Sequence, residues 1–234
     1  MAIPAILRRK IYRYPFLLGA LLRLKPHLYR LAVKRTTNLV IEGFPRSGNT
    51  FAVVAFESVQ PLPLVIAHHL HAPAQIVYAA RHNIPALVLI RKPVDAIVSY
   101  LQRDGSISVA GALAEYIQFY NVVQNNLSHV FLAKFEDVIK DYGKVIRELN
   151  ERFLTNFAQF EHTSENQDAV FQKIEEYSRQ TKTGESGVAR PSAIRQSKKS
   201  DLIEEVMSQR YVYARQKAES LYEKLLSHQE SATL

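Results

Sequence analysis

"EGFPRSGNTF", Glu42 to Phe51, is the stretch whose reading decides the fold. Gly43, Gly48 and Thr50 stand at the spacing of a phosphate-binding loop, G-x-x-x-x-G-K-[ST], in which glycines let the backbone close around a phosphate and amide groups at a helix start receive it. The position of the lysine is taken by Asn49, and the cation of the loop is Arg46. Upstream, residues 38–43 form a β-branched run that ends in glycine; downstream, "NTFAVVAFESV" has helical spacing. The local reading is strand, phosphate loop, helix.

Three further apolar runs lack alternation, as strands buried on both faces do: residues 63–69, 85–92 and 129–137. A helical stretch follows each, so the pattern predicts a single α/β domain of three-layer α/β/α type with a central parallel sheet, like the P-loop NTPases. In the helix after residues 85–92, Pro93 and Asp95 occupy the first turn, and Val94, Ile97, Val98 and Leu101 share one apolar face that excludes Ser99. A long amphipathic helix is expected from Asp201 to Leu226. The polar, basic segment 179–200 before it reads as a binding loop or a surface linker. The expected division is a basic arm over 1–36, the domain over 37–228 and a tail over 229–234.

The formal charge of +8 favours anionic partners, and the lack of cysteine excludes disulfides and thiolate metal sites and permits a cytoplasmic location. In the arm, Arg8, Arg9, Lys10, Arg13, Arg23, Lys25, Arg30, Lys34 and Arg35 alternate with Leu, Phe and Tyr. Its longest apolar run, Pro15 to Leu22, is too short to span a bilayer, and no cleavage site of a signal peptide follows it. Two readings stay open: peripheral attachment to an anionic membrane, or a helical arm packed on the domain.

A magnesium-dependent kinase would need the loop lysine and an acidic residue at the end of another strand. Asn49 carries no charge, and "ALVLI" ends in Arg91 and Lys92. A nucleotide held by arginines is the expected ligand, with a degenerate kinase and a non-catalytic, membrane-attached nucleotide-binding module as the alternatives.

"GFPRSGNTF" resembles the 5′-phosphosulfate loop of the sulfotransferases that use 3′-phosphoadenosine 5′-phosphosulfate (PAPS). "LIRKPVDAIVSYLQR" is similar to their 3′-phosphate segment, and "FLAKFEDVIKD" to their Y-E-D-L segment, with Phe135 for the tyrosine. The resemblance covers residues 38–150. It implies that Pro45, Arg46, Ser47, Gly48, Asn49 and Thr50 hold the 5′-phosphosulfate, that Phe51 stacks on adenine, that Arg91 and Ser99 take the 3′-phosphate, and that no metal takes part. The family's C-terminal tryptophan-containing loop is absent. "VARPSAIRQSKK" is the candidate substitute, with Arg190, Arg195, Lys198 or Lys199 reaching the 3′-phosphate; the alternative is a solvated basic loop.

Transfer to an acceptor hydroxyl or amine requires a base, and histidine suits that task near neutral pH. His68, His69 and His71 cluster at the end of the second expected strand. The family places its catalytic histidine about 22 residues before the 3′-phosphate arginine, and His69 is 22 residues before Arg91. The expected catalytic residues are therefore His69 first and His71 second, with Arg46 at the transferring group. Because other branches use glutamate, Glu57 and Glu115 remain in view. The expected acceptor is a small molecule, a lipid or a carbohydrate, and not a nucleic acid.

Overall fold

The computed structural model describes residues 5–180 and 199–231. Four strands, β1 (Leu39–Gly43), β2 (Ile66–His68), β3 (Ala86–Ile90) and β4 (Phe131–Lys134), pair in parallel in the order β2-β1-β3-β4. Each connection crosses through helices: α4 (Asn49–Val59) follows β1, α5 (Pro73–Arg81) follows β2, and α6 (Pro93–Arg103) and α7 (Val109–Gln124) follow β3. The chain passes from β1 outward to β2 and then back across to β3. The C-terminal ends of β1 and β3 therefore lie side by side at the point where the strand order reverses, which is where open α/β sheets bind their ligands.

Alternate residues of each strand feed two cores. Val40, Val88, Ile90 and Leu132 pack with α5, α6 and α7 and with two C-terminal helices, α11 (Lys199–Met207) and α12 (Val212–Ser231). Leu39, Ile41, Leu87 and Leu89 pack on the other face with α4, α9 (Tyr142–Phe153) and α10 (Ser164–Gln180). This is the single three-layer α/β/α domain with a parallel sheet that the apolar runs predict. Gly43 is obligatory in it, because a Cβ there would lie 2.6 Å from the Leu89 carbonyl of the neighbouring strand.

Two expected elements end differently. The run 129–137 is strand only as far as Lys134; Phe135–Lys140 is a helix, α8, whose first turn carries Glu136 and Asp137, where the helix dipole favours acids. The helix expected from Asp201 to Leu226 is broken between α11 and α12 by Ser208, whose backbone is extended, and by a 3₁₀ turn at Gln209–Tyr211. Arg215 Nη1 donates to the carbonyls of Val206 (3.1 Å) and Ser208 (3.5 Å), which braces the break from the following helix.

The basic arm folds as α1 (Ala5–Arg13), α2 (Pro15–Arg23) and α3 (Pro26–Tyr29), α2 and α3 each opening with a proline. Leu18 and Leu22 of α2 are buried with Ala32 against Leu70, Ala72 and Ala74. The arm is thus packed on the domain beside the loop after β2. Among the described residues, no helix is long and apolar enough to cross a membrane.

Candidate active site

The loop between β1 and α4 is held from three sides. Arg46 has φ +69° and Gly48 has φ +92°. The positive φ of Gly48 is one that L side chains rarely adopt, and a Cβ at this position would stand 3.1 Å from the Phe135 ring. Arg91 Nη1 donates to the Arg46 carbonyl at 3.0 Å, and its guanidinium lies 4.1 Å from the centre of the Phe135 ring. Arg46 Nε donates to Ser99 Oγ at 3.0 Å, so Arg46, Arg91 and Ser99, distant in sequence, meet at one point.

The other loop side chains face inward. Asn49 is buried, and its Nδ2 donates to the Phe44 carbonyl at 3.1 Å, while its Oδ1 is buried with no hydrogen-bond partner. The position of the lysine in a kinase loop is here part of the scaffold. Ser47 is fully buried, with its hydroxyl 3.5 Å from that of Tyr120. Phe51 is 7% exposed and packs edgewise on Tyr142 and Phe160 and at a tilt on Phe171. The structure gives Phe51 a core position, and the open face expected for stacking on a base is not what it presents. Pro45 lines a cavity described below.

Two tyrosines of α7 fasten the strand ends beneath the loop: Tyr120 donates to the Leu89 carbonyl and Tyr116 to the Arg91 carbonyl, both at 2.8 Å. Burial raises both phenols far above their ordinary range, which keeps them as donors. Neither tyrosine was singled out from the sequence. Both are apolar-looking members of a helix face, and only the fold reveals which carbonyls they meet.

The histidines sit on the edge formed by β1 and β2, and His69 (φ +58°) and His71 (φ +49°) join Arg46 in the left-handed region. Backbone strain thus collects around the site. His69 Nε2 is 3.1 Å from Thr50 Oγ1, and its Nδ1 is 2.6 Å from His68 Nδ1. In either neutral tautomer both ring nitrogens of His69 are engaged. His71 differs: Nδ1–H donates to the Gly43 carbonyl at 2.8 Å, which leaves Nε2 with its lone pair. Burial lowers all three imidazoles. His68 and His71 fall to about 4, and His69 lies well below its usual value, pushed further by the neighbouring His68, His71 and Arg103. All three are neutral at pH 7.

Glu42, which sequence reasoning passed over, holds this edge together. It is fully buried in β1 and accepts from the amides of Leu70 (2.9 Å) and His71 (3.1 Å) and from Gln75 Nε2 (2.6 Å). Burial raises its carboxyl to about 8 in spite of these donors. Its Oε2 is 3.7 Å from His71 Nδ1. An acid in the middle of an apolar strand was the available signal.

A cavity of about 140 Å³ adjoins His71 and the loop, lined by Phe44, Pro45, Tyr100, Glu115 and, from the arm, Tyr12. It is comparable to cavities of about 150 Å³ that take up benzene. Glu115 receives the Tyr100 hydroxyl at 3.3 Å at its wall. Glu57 is exposed on α4 and senses Lys173 of α10, on the opposite layer from this cavity. Arg190, Arg195 and Lys198 lie outside the described residues; Lys199 is exposed at the start of α11. Among the described residues, no group of three or more His, Asp or Glu is arranged to hold a metal ion.

No protein-family model matches the chain, and no curated protein matches it. Among solved structures, it is similar to mouse sulfotransferase SULT7A1 complexed with PAP, at 13% sequence identity and a TM-score of 0.43, over 84% of this chain and 94% of that chain.

Proposed function

We propose that the protein transfers a sulfuryl group from PAPS to a hydroxyl or amine on a ring-sized, largely apolar acceptor. The observation that carries this reading is the meeting of a phosphate loop held by two arginines with an imidazole that lines a largely apolar cavity and commits its Nδ1 to the backbone. The loop fits a phosphate-bearing nucleotide: Gly48 forms a cradle that a Cβ would crowd, and residues 44–50 contain no acid.

PAPS would supply an activated sulfuryl group whose bond to a phosphate oxygen breaks as the acceptor oxygen bonds to sulfur. Arg46, Thr50 and the amides at the start of α4 would bear the negative charge that grows on that phosphate oxygen. Arg91 and Ser99 would meet the 3′-phosphate. The acceptor proton would pass to His71 Nε2, with the ring oriented by its Nδ1–H on the Gly43 carbonyl. Spacing ranks His69 first; its engagement by Thr50 and His68 favours His71 instead.

The test is ligand stabilisation. In EDTA, 3′,5′-ADP should raise the melting temperature, since a ligand at 100 times its Kd adds about 2.7 kcal/mol to stability. MgATP should do less. Stabilisation by MgATP with 3′,5′-ADP inert would replace this reading with a phosphotransferase, and stabilisation by both without turnover of any acceptor would leave a binding module.

A further inference from the structure

We propose that α2 docks the protein on an anionic lipid surface through its outer face. The helix, "PFLLGALLR", is apolar on both sides, with Arg23 at its end the one charge it carries. At 100° per residue, Leu18 and Leu22 share one side, which is 4% and 1% exposed and packed on the domain. Phe16, Leu17, Ala20 and Leu24, the last being the helix cap, fall on the opposite side. There Phe16 is 84% exposed, Leu24 81% and Leu17 42%. This helix is apolar on both faces, and among the described residues nothing covers the second one; single exposed leucines elsewhere do not make such a stripe.

The charges around the stripe select its occupant. Lys10, Arg13 and Arg23 flank it in exposed positions, and residues 1–41 contain no Asp or Glu. A second copy would bring the same cations against these and be repelled. A nucleic acid would meet the cations and leave Phe16 and Leu24 with nothing apolar to enter. A bilayer that contains acidic lipids satisfies both features, with phosphates at the cations and acyl chains at the stripe. Beneath α2 there is also a cleft of about 280 Å³ against α5, lined mainly by apolar side chains such as Leu18, Leu22 and Tyr78, whose charged members are both cations, Arg23 and Lys34. Because α1 supplies Tyr12 to the cavity beside His71, the docked arm would also hold that cavity next to the lipid.

The proposal does not depend on the nucleotide reading, and it is tested with the full chain and no nucleotide. The protein should co-sediment with phosphatidylcholine vesicles that contain phosphatidylglycerol, bind pure phosphatidylcholine far less, and be partly released by salt. The combined variant Phe16→Ser, Leu17→Ser, Leu24→Ser should lose about tenfold or more in partitioning with an unchanged melting temperature. Lys10→Glu with Arg23→Glu should abolish the preference for the anionic vesicles. Hydrogen exchange on the unaltered protein should show vesicle-dependent protection of residues 15–24. Indifference of the natural chain to vesicles, full binding by the serine variant, or protection confined to other segments would each overturn the proposal. A concentration-dependent dimer that the serine variant abolishes, without vesicle binding, would make the stripe a subunit contact instead, and salt-sensitive binding of RNA without vesicle binding would make it a nucleic-acid surface.

Discussion

Arg91 Nη1 donates to the carbonyl of Arg46 across 3.0 Å, so the arginine that ends β3 holds in place the loop that carries the other arginine. One guanidinium has further N–H groups to offer a ligand, and Arg91 therefore serves both as a brace and as a proposed contact to the 3′-phosphate. Arg91→Ala should weaken 3′,5′-ADP by about 1.5–3 kcal/mol, the worth of a lost charge-assisted contact. It should weaken 5′-AMP too, by less, because the loop loosens. Calorimetric titration of both nucleotides reads the difference; equal losses would make Arg91 a brace alone.

Gly43 and Gly105 give a matched pair for stability. A Cβ on Gly43 would stand 2.6 Å from the Leu89 carbonyl, in a sheet that cannot yield without parting β1 from β3, whereas Gly105 has nothing within 4 Å. Gly43→Ala should cost about 1–3 kcal/mol in urea denaturation, as overpacking does. Gly105→Ala should be close to neutral.

The parallel sheet and the loop were legible from the sequence because both are local in origin: unbroken apolar runs and glycine spacing are written in consecutive residues. The resemblance assigns Arg46 to one phosphate and Arg91 with Ser99 to the other; that the three meet through hydrogen bonds is seen only in the fold. Glu42 offered a signal, an acid in an otherwise apolar strand, but its role becomes visible only where the amides of Leu70 and His71 converge on it. Stacking of Phe51 on adenine is what the resemblance implies, yet α4 turns this ring into the aromatic core with Tyr142 and Phe160. The break at Ser208 coincides with a gap in the apolar period, where Gln209 and Arg210 stand three and four residues after Val206.

Stability should peak near pH 6.5. Between about pH 4 and 6.5, the unfolded chain takes up protons on His68 and His71 that the folded chain, with both held at about 4, does not, so stability rises with pH. Glu42 acts oppositely: raised to about 8 in the folded state, it keeps a proton that the unfolded chain releases, so its contribution falls from about pH 4.5 to 8. The histidines outweigh it on the acid side, and above 6.5 it acts alone. Denaturation midpoints measured from pH 5 to 8.5 should trace this dome, and Glu42→Gln should flatten its alkaline limb.

The base assignment separates the two candidate histidines by their partners. His71 Nδ1–H is committed to the Gly43 carbonyl, which leaves Nε2 to accept a proton at the cavity wall, whereas both nitrogens of His69 are occupied by Thr50 and His68. A base touches the transferring proton and not the nucleotide, so His71→Asn should keep 3′,5′-ADP affinity and lose roughly 10²–10⁴-fold in turnover with any acceptor that works. His69→Asn should lose less, and part of its loss should appear as weaker nucleotide binding, because Thr50 at the start of α4 is released. His68→Asn should act through His69 and be milder still. A dead His69→Asn beside an active His71→Asn would return the role to the residue that spacing ranks first. If all three stay active, the carboxylate of Glu115 at the cavity wall becomes the base to test, and Glu57, exposed on the far layer, does not.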